Sequence, residues 1–266
     1  MTEHRAKKRF GQHFLHDQNI IHRIVTAIDP KHHQTIIEIG PGKGALTFPL
    51  LEHLDTLHVL ELDRDLAQAL SKKYEAVKIR PEKKIVIHCV DALSYDFGKI
   101  GNQHLRIVGN LPYNISTPLI FHLLRYHHSI DDMVFMLQEE VVDRICATPG
   151  NKDFGRLSVM VQAHCHAEKL FTVSPGAFSP PPKVMSAIIK LKPRDRFLKE
   201  INDPPGFAHI VKLAFSQRRK TLKNCLKGVL EKNQINDLGI VPEARAETLS
   251  VDDFIQLANS YHKENQ

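Results

Sequence analysis

The chain has 266 residues, of which 42% are hydrophobic and 25% are charged. This composition is typical of a folded globular protein and excludes a disordered or fibrous one. No stretch approaches the length of a membrane span, and no apolar signal segment follows the basic start, so we expect a cytoplasmic protein without membrane contact. The four cysteines lie far apart and lack metal-binding or redox spacing, so we expect no metal site.

The positive charge of the chain is concentrated in one segment. The formal net charge is +6, and residues 194–230 alone carry nine Lys and Arg against three acidic residues. Such asymmetry favours a polyanionic partner, although a solvated basic face is the plainer alternative.

The N-terminal part is predicted to be a basic arm, a docking segment and a helix. Residues 1–9 are basic and carry nothing to pack, so we expect a mobile arm. Residues 10–17 include two phenylalanines and a leucine, which indicates that they dock onto the rest of the chain. An amphipathic helix over 18–28 follows, with Asp17 as its cap.

The next segment has the pattern of a strand, a glycine turn and a helix. A β-branched run over 35–39 breaks into three glycines between residues 40 and 44, and a helical pattern covers 45–54. Glycines allow close backbone approach, and the N–H groups at a helix start attract an anionic group. A tight turn without any ligand is an equally good explanation of this loop alone.

Two acidic residues follow the next predicted strands. Glu61 stands 21 residues beyond Gly40 at the end of a strand over 57–60, and Asp91 ends a strand over 85–90. An acid at the first position can accept both hydroxyls of a ribose, and one at the second can accept an adenine amino group. Ligands bind outside the carboxyl ends of strands in open α/β sheets. The glycine turn at Gly40, Glu61 and Asp91 are therefore expected to face one crevice.

A fourth strand, over 105–109, leads into a tetrapeptide that we expect to bind the acceptor. The Asn110 side-chain oxygen and the Leu111 carbonyl, whose direction Pro112 restricts, form a pair of acceptors. The Tyr113 ring adds an apolar face. An exocyclic amine on a flat ring suits such a site, whereas an ordinary turn is the alternative for the tetrapeptide alone.

The rest of the chain is predicted to complete the sheet and then to become helical. We expect a helix near 118–125 and strands over 133–137, 158–162 and 187–191, with a stiff proline loop at 178–183 before the last strand. After Pro193 the pattern is helical, over about 206–217, 219–232 and 251–262. We therefore predict a larger domain over 1–200 and a smaller helical domain over 201–266.

Taken together, five motifs resemble those of the rRNA adenine N6,N6-dimethyltransferases, and most closely the bacterial small-subunit branch. They are Phe10-Gly11-Gln12 with Phe14-Leu15, Glu38-Ile39-Gly40-Pro41-Gly42, Glu61-Leu62-Asp63, residues 110–116 from Asn110 to Ser116, and residues 178–184 from Phe178 to Val184. The resemblance implies a Rossmann-like class I methyltransferase domain, S-adenosylmethionine as methyl donor, and dimethylation of two adjacent adenines near the 3′ end of 16S rRNA. It also implies a role in maturation of the small ribosomal subunit, and we expect the protein to act as a monomer.

The resemblance assigns roles residue by residue. It places Gly40 against the methionine part of the donor, Glu61 on the ribose, Asp91 on the adenine and Asn110 near the sulfonium. His13 and Leu15 correspond to positions that close over the donor, although the family usually has Asn in place of His13.

The resemblance also implies residues that hold the RNA. A flipped adenine would stack on Tyr113, and Phe178 is a candidate for a second face, with a loop anchor as the equal alternative. The basic helices would grip phosphates. The candidates for that role are Arg218, Arg219, Lys220 and Lys223.

Several other functions share parts of this pattern. An NAD-dependent dehydrogenase has a glycine turn and a ribose acid, but the spacing of the glycines here differs from the dinucleotide motif. A DNA adenine methyltransferase or a large-subunit rRNA enzyme uses a similar tetrapeptide, and the leucine at 111 and the proline loop favour the small-subunit enzyme. The alternative that is not primarily an enzyme is an RNA-binding assembly factor whose methylation activity is incidental.

Overall fold

The structure is a computed structural model that describes residues 12–77, 82–100, 104–194 and 199–264. The predicted basic arm, together with Phe10 and Gly11, lies outside the described residues. No helix within those ranges has both the length and the apolar character needed to cross a membrane.

The strands form a seven-stranded sheet and a separate two-stranded sheet. The larger sheet has the order β4-β3-β2-β5-β6-β9-β7. Its first five strands are parallel, and β9 is antiparallel to β6. The strands are β1 Phe14–Leu15, β2 Thr35–Ile39, β3 Thr56–Leu60, β4 Lys84–His88, β5 Leu105–Asn110, β6 Ile130–Gln138, β7 Cys165–Val173, β8 Phe178–Ser179 and β9 Ser186–Pro193.

Helices connect the parallel strands and make up much of the C-terminal part. They are α1 Gln18–Ile28, α2 Thr47–Leu51, α3 Arg64–Ala76, α4 Ser116–Leu124, α5 Glu139–Cys146, α6 Arg156–His164, α7 Pro204–Ala214, α8 Leu222–Cys225, α9 Lys232–Asp237 and α10 Val251–Glu264. The predicted cap of α1 is confirmed, because the Asp17 carboxylate accepts hydrogen bonds from the backbone N–H groups of Asn19 and Ile20.

The parallel strand order reverses between β2 and β5, and the two strands approach each other closely there. A Cβ on Gly109 would lie 2.4 Å from the carbonyl oxygen of Ile39, so only glycine fits at this position. A Cβ on Gly40 would in turn lie 3.6 Å from the carbonyl oxygen of Asn110. The end of β5 is therefore held directly beside the glycine loop after β2, at the point where ligands bind in such sheets.

The two-stranded sheet joins segments that are far apart in sequence. Leu15 of β1 pairs with Phe178 of β8, and Phe14 pairs with Ser179. Leu15 and Phe178 belong to one hydrophobic cluster with residues of α1 and of the large sheet. The predicted docking of the segment around Leu15 is thus confirmed for the part of it that the structure describes.

The chain divides into two compact units. The first comprises Met1–Val142 and Glu168–Pro193, and the second comprises Asp143–Ala167 and Arg194–Gln266. Residues 143–167 therefore belong with the helical C-terminal part, whereas the division predicted at residue 200 placed them in the first domain. The reason is that α6 packs against α7 and α10 within the second unit.

Two predicted elements were wrong. Residues 158–162, predicted as a strand, lie in α6, where Ser158, Val159 and Val161 are fully buried in helical form. Tertiary packing overrides the β preference of this short valine-rich run. The helix predicted over 219–232 is reduced to the single turn α8, and Gly228 beyond it has a φ of +81° that a helix does not allow.

Candidate active site

A cavity of about 190 Å³ opens at the carboxyl ends of the parallel strands, within the first unit. The structure brings nearly all predicted donor and acceptor residues to it. Those that line the cavity are His13, Leu15, Gly40, Glu61, Asp91, Asn110, Leu111, Pro112 and Tyr113. The shared crevice that strand order predicts is therefore present as one continuous surface.

Glu61 is held by backbone groups on both sides of its carboxylate. Its Oε2 accepts a hydrogen bond from the N–H of Gly42 at 3.2 Å, and its Oε1 accepts one from the N–H of Asp63 at 2.9 Å. The side chain is buried, and this burial raises the pKa of Glu61, while the two backbone N–H groups act in the opposite direction. The orientation of the carboxylate is thus fixed jointly by the glycine loop and by the backbone just after Glu61.

Glu38 is a second buried acid at the cavity, and sequence reasoning gave it no role. It is the last but one residue of the otherwise apolar strand β2, is only 2% exposed, and accepts a hydrogen bond from the Thr47 hydroxyl at 2.6 Å. Burial raises its pKa to about 7, and nearby Glu61 adds to this increase. The signal that could have revealed it is a charged residue inside an otherwise apolar strand directly before the glycine loop.

Asp91 and Leu62 line the same cavity, in the part that the sequence predicts to hold the donor. The Oδ1 of Asp91 accepts a hydrogen bond from the N–H of Leu93 at 2.9 Å, which orients its carboxylate in the turn after β4. Leu62 lines the cavity and is 51% exposed. An exposed apolar side chain beside an oriented acid suits a flat heterocycle that carries an amino group.

Asn110, which is predicted to bind the acceptor, is oriented by the N-terminal segment. Its Nδ2 donates a hydrogen bond to the carbonyl oxygen of His13 at 3.1 Å. Because the amide nitrogen faces His13, the Oδ1 atom faces away from it and is available as an acceptor. This is the orientation that binding of an amine by the Asn110 oxygen requires.

The backbone of the tetrapeptide is anchored to the neighbouring strand. The N–H of Leu111 donates to the carbonyl oxygen of Met136 in β6 at 3.2 Å, and the Leu111 side chain is only 1% exposed. The Ser116 hydroxyl also donates to the carbonyl oxygen of Tyr113 at 3.0 Å. Both ends of the turn are therefore fixed, which leaves little freedom for the Leu111 carbonyl.

Comparison with known proteins identifies the family of this site. The sequence profile described as ribosomal RNA adenine dimethylase matches residues 3–263. The chain belongs to the ribosomal RNA adenine dimethylase family. The predicted resemblance, the methyltransferase class of the enzyme and the α/β fold are thereby confirmed.

Individual relatives support the same assignment. The chain is 50% identical over 261 residues to ribosomal RNA small subunit methyltransferase A of Alcanivorax borkumensis, covering 97% of this chain and 91% of that protein. It is 51% identical over 262 residues to the protein of the same name from Nitrosococcus oceani, covering 98% and 97%. Among solved structures, a dimethyladenosine transferase from Plasmodium falciparum superimposes with a TM-score of 0.80 at 25% identity, covering 95% and 98%.

His13 contacts both the tetrapeptide and the proline loop. Its carbonyl oxygen accepts from Asn110, its Nδ1 lies 2.8 Å from the carbonyl oxygen of Pro180, and its ring stacks on that of Tyr113 with centroids 5.9 Å apart. Since a carbonyl oxygen only accepts, Nδ1 carries the hydrogen of that bond. His13 thus connects the N-terminal segment, the proline loop and the tetrapeptide.

The structure does not bring Phe178 to the cavity. Its side chain is 3% exposed and packs in the hydrophobic cluster around Leu15. The role of loop anchor, which the sequence left open beside that of a second stacking face, accounts for this position. The ring that lies over Tyr113 is that of His13 instead.

The predicted RNA-binding residues lie in the second unit and divide into two groups. Arg218 and Lys220 line a cavity of about 300 Å³ together with further cationic residues, and Arg219 between them is exposed. Lys223 instead forms an ion pair with Glu243 at 3.1 Å. The cations that sequence reasoning missed at this cavity are Arg144, Lys152 and Arg156.

Residues 143–167 thus contribute three cations to this basic surface. The net positive charge of this segment is small, so its sequence alone does not mark it as a basic surface. Its role becomes visible only once it is known to fold with the C-terminal helices. No group of three or more His, Cys, Asp or Glu residues suitable for a metal ion is found among the described residues.

Proposed function

We propose that the protein transfers methyl groups from S-adenosylmethionine to the N6 amines of two adjacent adenines near the 3′ end of 16S rRNA. The substrate is the small ribosomal subunit or its precursor, and the protein acts on it as a monomer. The observation that carries this proposal is the orientation of Asn110, whose Oδ1 is directed away from His13 beside a cavity with two buried acids.

The donor side of the cavity fits S-adenosylmethionine by its chemistry. Glu61 is the residue that would hold the ribose hydroxyls and Asp91 the adenine amino group, with Leu62 against the ring. In their ionised form, the buried carboxyl groups of Glu38 and Glu61 would favour a ligand that carries positive charge. When bound, the donor supplies a methyl group on a sulfonium, which is already an activated electrophile.

The acceptor side has the groups needed to prepare an adenine amine. The N6 lone pair of adenine is delocalised into the ring and is a poor nucleophile. Hydrogen bonds from N6–H to the Asn110 Oδ1 and the Leu111 carbonyl oxygen would draw the nitrogen toward tetrahedral geometry and free its lone pair. The tetrapeptide is fixed by Met136 and Ser116, so catalysis relies on positioning, and no separate general base is needed.

The second unit supports binding to RNA. The cavity lined by Arg144, Lys152, Arg156, Arg218 and Lys220 concentrates positive charge within reach of one polyanionic strand. Contacts to phosphates orient an RNA without reading its sequence. Selection of the target adenines would then depend on the shape of the subunit and on base flipping into the first unit.

The test is methyl transfer from labelled S-adenosylmethionine to small subunits that lack the modification, followed by nucleoside analysis. We expect dimethyladenosine, and the absence of this nucleoside would disprove the assignment. Equal activity on deproteinised mature 16S rRNA would argue against a role tied to subunit assembly. Large subunits serve as the matched control, since incorporation there would favour the large-subunit alternative.

A complementary experiment separates catalysis from RNA binding. Asn110→Ala should eliminate dimethyladenosine while the protein still binds small subunits. If subunit maturation in cells were unaffected by this variant but impaired by deletion of the protein, the assembly-factor alternative would be correct.

A further inference from the structure

The Tyr113 ring is held at its far end by a residue from a distant strand. The hydroxyl oxygens of Tyr113 and Ser186 lie 2.7 Å apart, and either can donate the hydrogen. Ser186 is fully buried and begins β9, where it pairs in register with Gln138 of β6. A residue of the central sheet therefore holds a ring that belongs to a turn.

This hydrogen bond restricts the ring because it holds the hydroxyl, the part of the side chain that is farthest from the backbone. A tyrosine side chain moves mainly by rotation about its Cα–Cβ bond, and such a rotation would carry the hydroxyl away from Ser186. The Ser186 hydroxyl is buried, so separating the two groups would leave it without a partner at an unfavourable desolvation free energy. The axis of the ring, from Cβ to the hydroxyl oxygen, is thus tied to the sheet.

A second contact acts on the ring itself. The His13 imidazole lies over Tyr113 at an interplanar angle of 29° and is held in turn by the Pro180 carbonyl oxygen. The ring is thus contacted at its hydroxyl by Ser186 and on its face by His13. The bond to Ser186 spans 73 residues and the bond that holds His13 to Pro180 spans 167 residues, so both contacts depend on the tertiary fold.

We propose that Ser186 is a positioning residue for the methyl-transfer reaction, which holds the Tyr113 ring in place for stacking of the target adenine, while His13 on its face restricts the plane of the ring. This inference rests on the proposed function, because it assigns Tyr113 to the acceptor base. Ser186 does not line the cavity and acts only through the tyrosine hydroxyl. Its effect is confined to the acceptor side, since the donor contacts of Glu61 and Asp91 involve neither residue.

A double-mutant cycle tests this proposal. Tyr113→Phe keeps the stacking ring and removes the hydroxyl, whereas Ser186→Ala removes the partner. Each variant should lower kcat/KM for unmethylated small subunits by about three- to tenfold, the usual effect of one lost hydrogen bond. The double variant should be no worse than either single variant, and the Kd for S-adenosylmethionine should stay within about twofold of wild type.

The outcomes separate this inference from the function on which it rests. An inactive wild-type protein would refute the proposed function. If the wild type is active, two results would refute the role of Ser186 but leave the proposed function intact. They are multiplicative losses in the double variant and unchanged activity in Ser186→Ala. Ser129→Ala is the matched control, because Ser129 is also a buried serine of the first unit but lies before β6, outside the cavity lining.

Discussion

The side-chain amide of Asn110 donates a hydrogen bond to the backbone carbonyl of His13, 97 residues earlier in the chain. This contact decides which end of the amide faces the cavity. A substitution of the His13 side chain leaves the carbonyl in place, whereas a substitution of Asn110 removes the oxygen that is proposed to accept from the target amine. The two positions are therefore expected to respond differently to mutation.

Asn110→Ala should lower the rate of methyl transfer at least about 100-fold, because positioning of the amine is the main contribution of the protein to catalysis. Donor binding should persist, since Glu61 and Asp91 are unchanged. The measurements are single-turnover transfer to small subunits and calorimetric binding of S-adenosylmethionine. Turnover like that of wild type would remove Asn110 from its proposed role.

His13→Ala should raise the KM for small subunits about threefold while the donor Kd changes little. The variant loses the ring that stacks on Tyr113 and the bond to Pro180, but it keeps the carbonyl that orients Asn110. Steady-state kinetics with each substrate varied in turn will show this. His16→Ala, an exposed neighbour, is the control, and a loss confined to donor affinity would contradict the acceptor-side assignment of the ring.

Glu61→Gln should weaken donor binding about tenfold or more. A glutamine offers only one oxygen, so it cannot accept from both Gly42 and Asp63 as the carboxylate does. Calorimetry gives the Kd directly, and kcat at saturating donor should fall much less. Glu52→Gln, at an exposed position outside the cavity, is the control. An unchanged donor Kd would exclude Glu61 from the binding site.

Glu38 predicts a pH dependence of stability. Its folded-state pKa is about 7 against an ordinary value of 4.5, so the folded protein retains this proton longer than the unfolded chain. The stabilisation by the Glu38 proton is fully present below about pH 4.5, and the free energy of unfolding falls by up to about 3 kcal/mol as the pH rises from about 4.5 through 7.

Glu38→Gln should remove this dependence, because the amide is neutral at every pH and still offers Thr47 an oxygen. The unfolding free energy of the variant relative to wild type should therefore increase between pH 5 and pH 8. Denaturant titrations at the two pH values measure the difference. Parallel changes in the two proteins would show that Glu38 titrates normally.

The basic cavity of the second unit predicts a salt dependence of RNA binding. Arg218→Ala and Arg156→Ala should each weaken binding to small subunits and lower the slope of log Kd against log salt concentration by about 1. Lys223→Ala is the comparison, because its ammonium is already paired with Glu243, and its effect should be smaller. Equal slopes in all variants would mean that the cavity does not contact phosphate.

Local sequence patterns were sufficient to predict much of the first unit and of its cavity. The strand, turn and helix around Gly40, the acids at Glu61 and Asp91, and the tetrapeptide at Asn110 could be recognised because each motif depends on residues that are adjacent in the chain. Parallel strands present their carboxyl ends at one edge, so the shared cavity also followed from strand order. The cap at Asp17 was predictable for the same local reason.

Only the tertiary structure decided which side chains meet across long sequence separations. The pairing of β1 with β8 buries Phe178 and brings His13 over Tyr113 in its place, and nothing in the proline loop alone reveals this. Residues 158–162 lie in a helix that packs against α7 and α10 and buries their valines, an environment that local preference does not include. The roles of Ser186 and Glu38 likewise depend on burial and on partners that only the folded chain supplies.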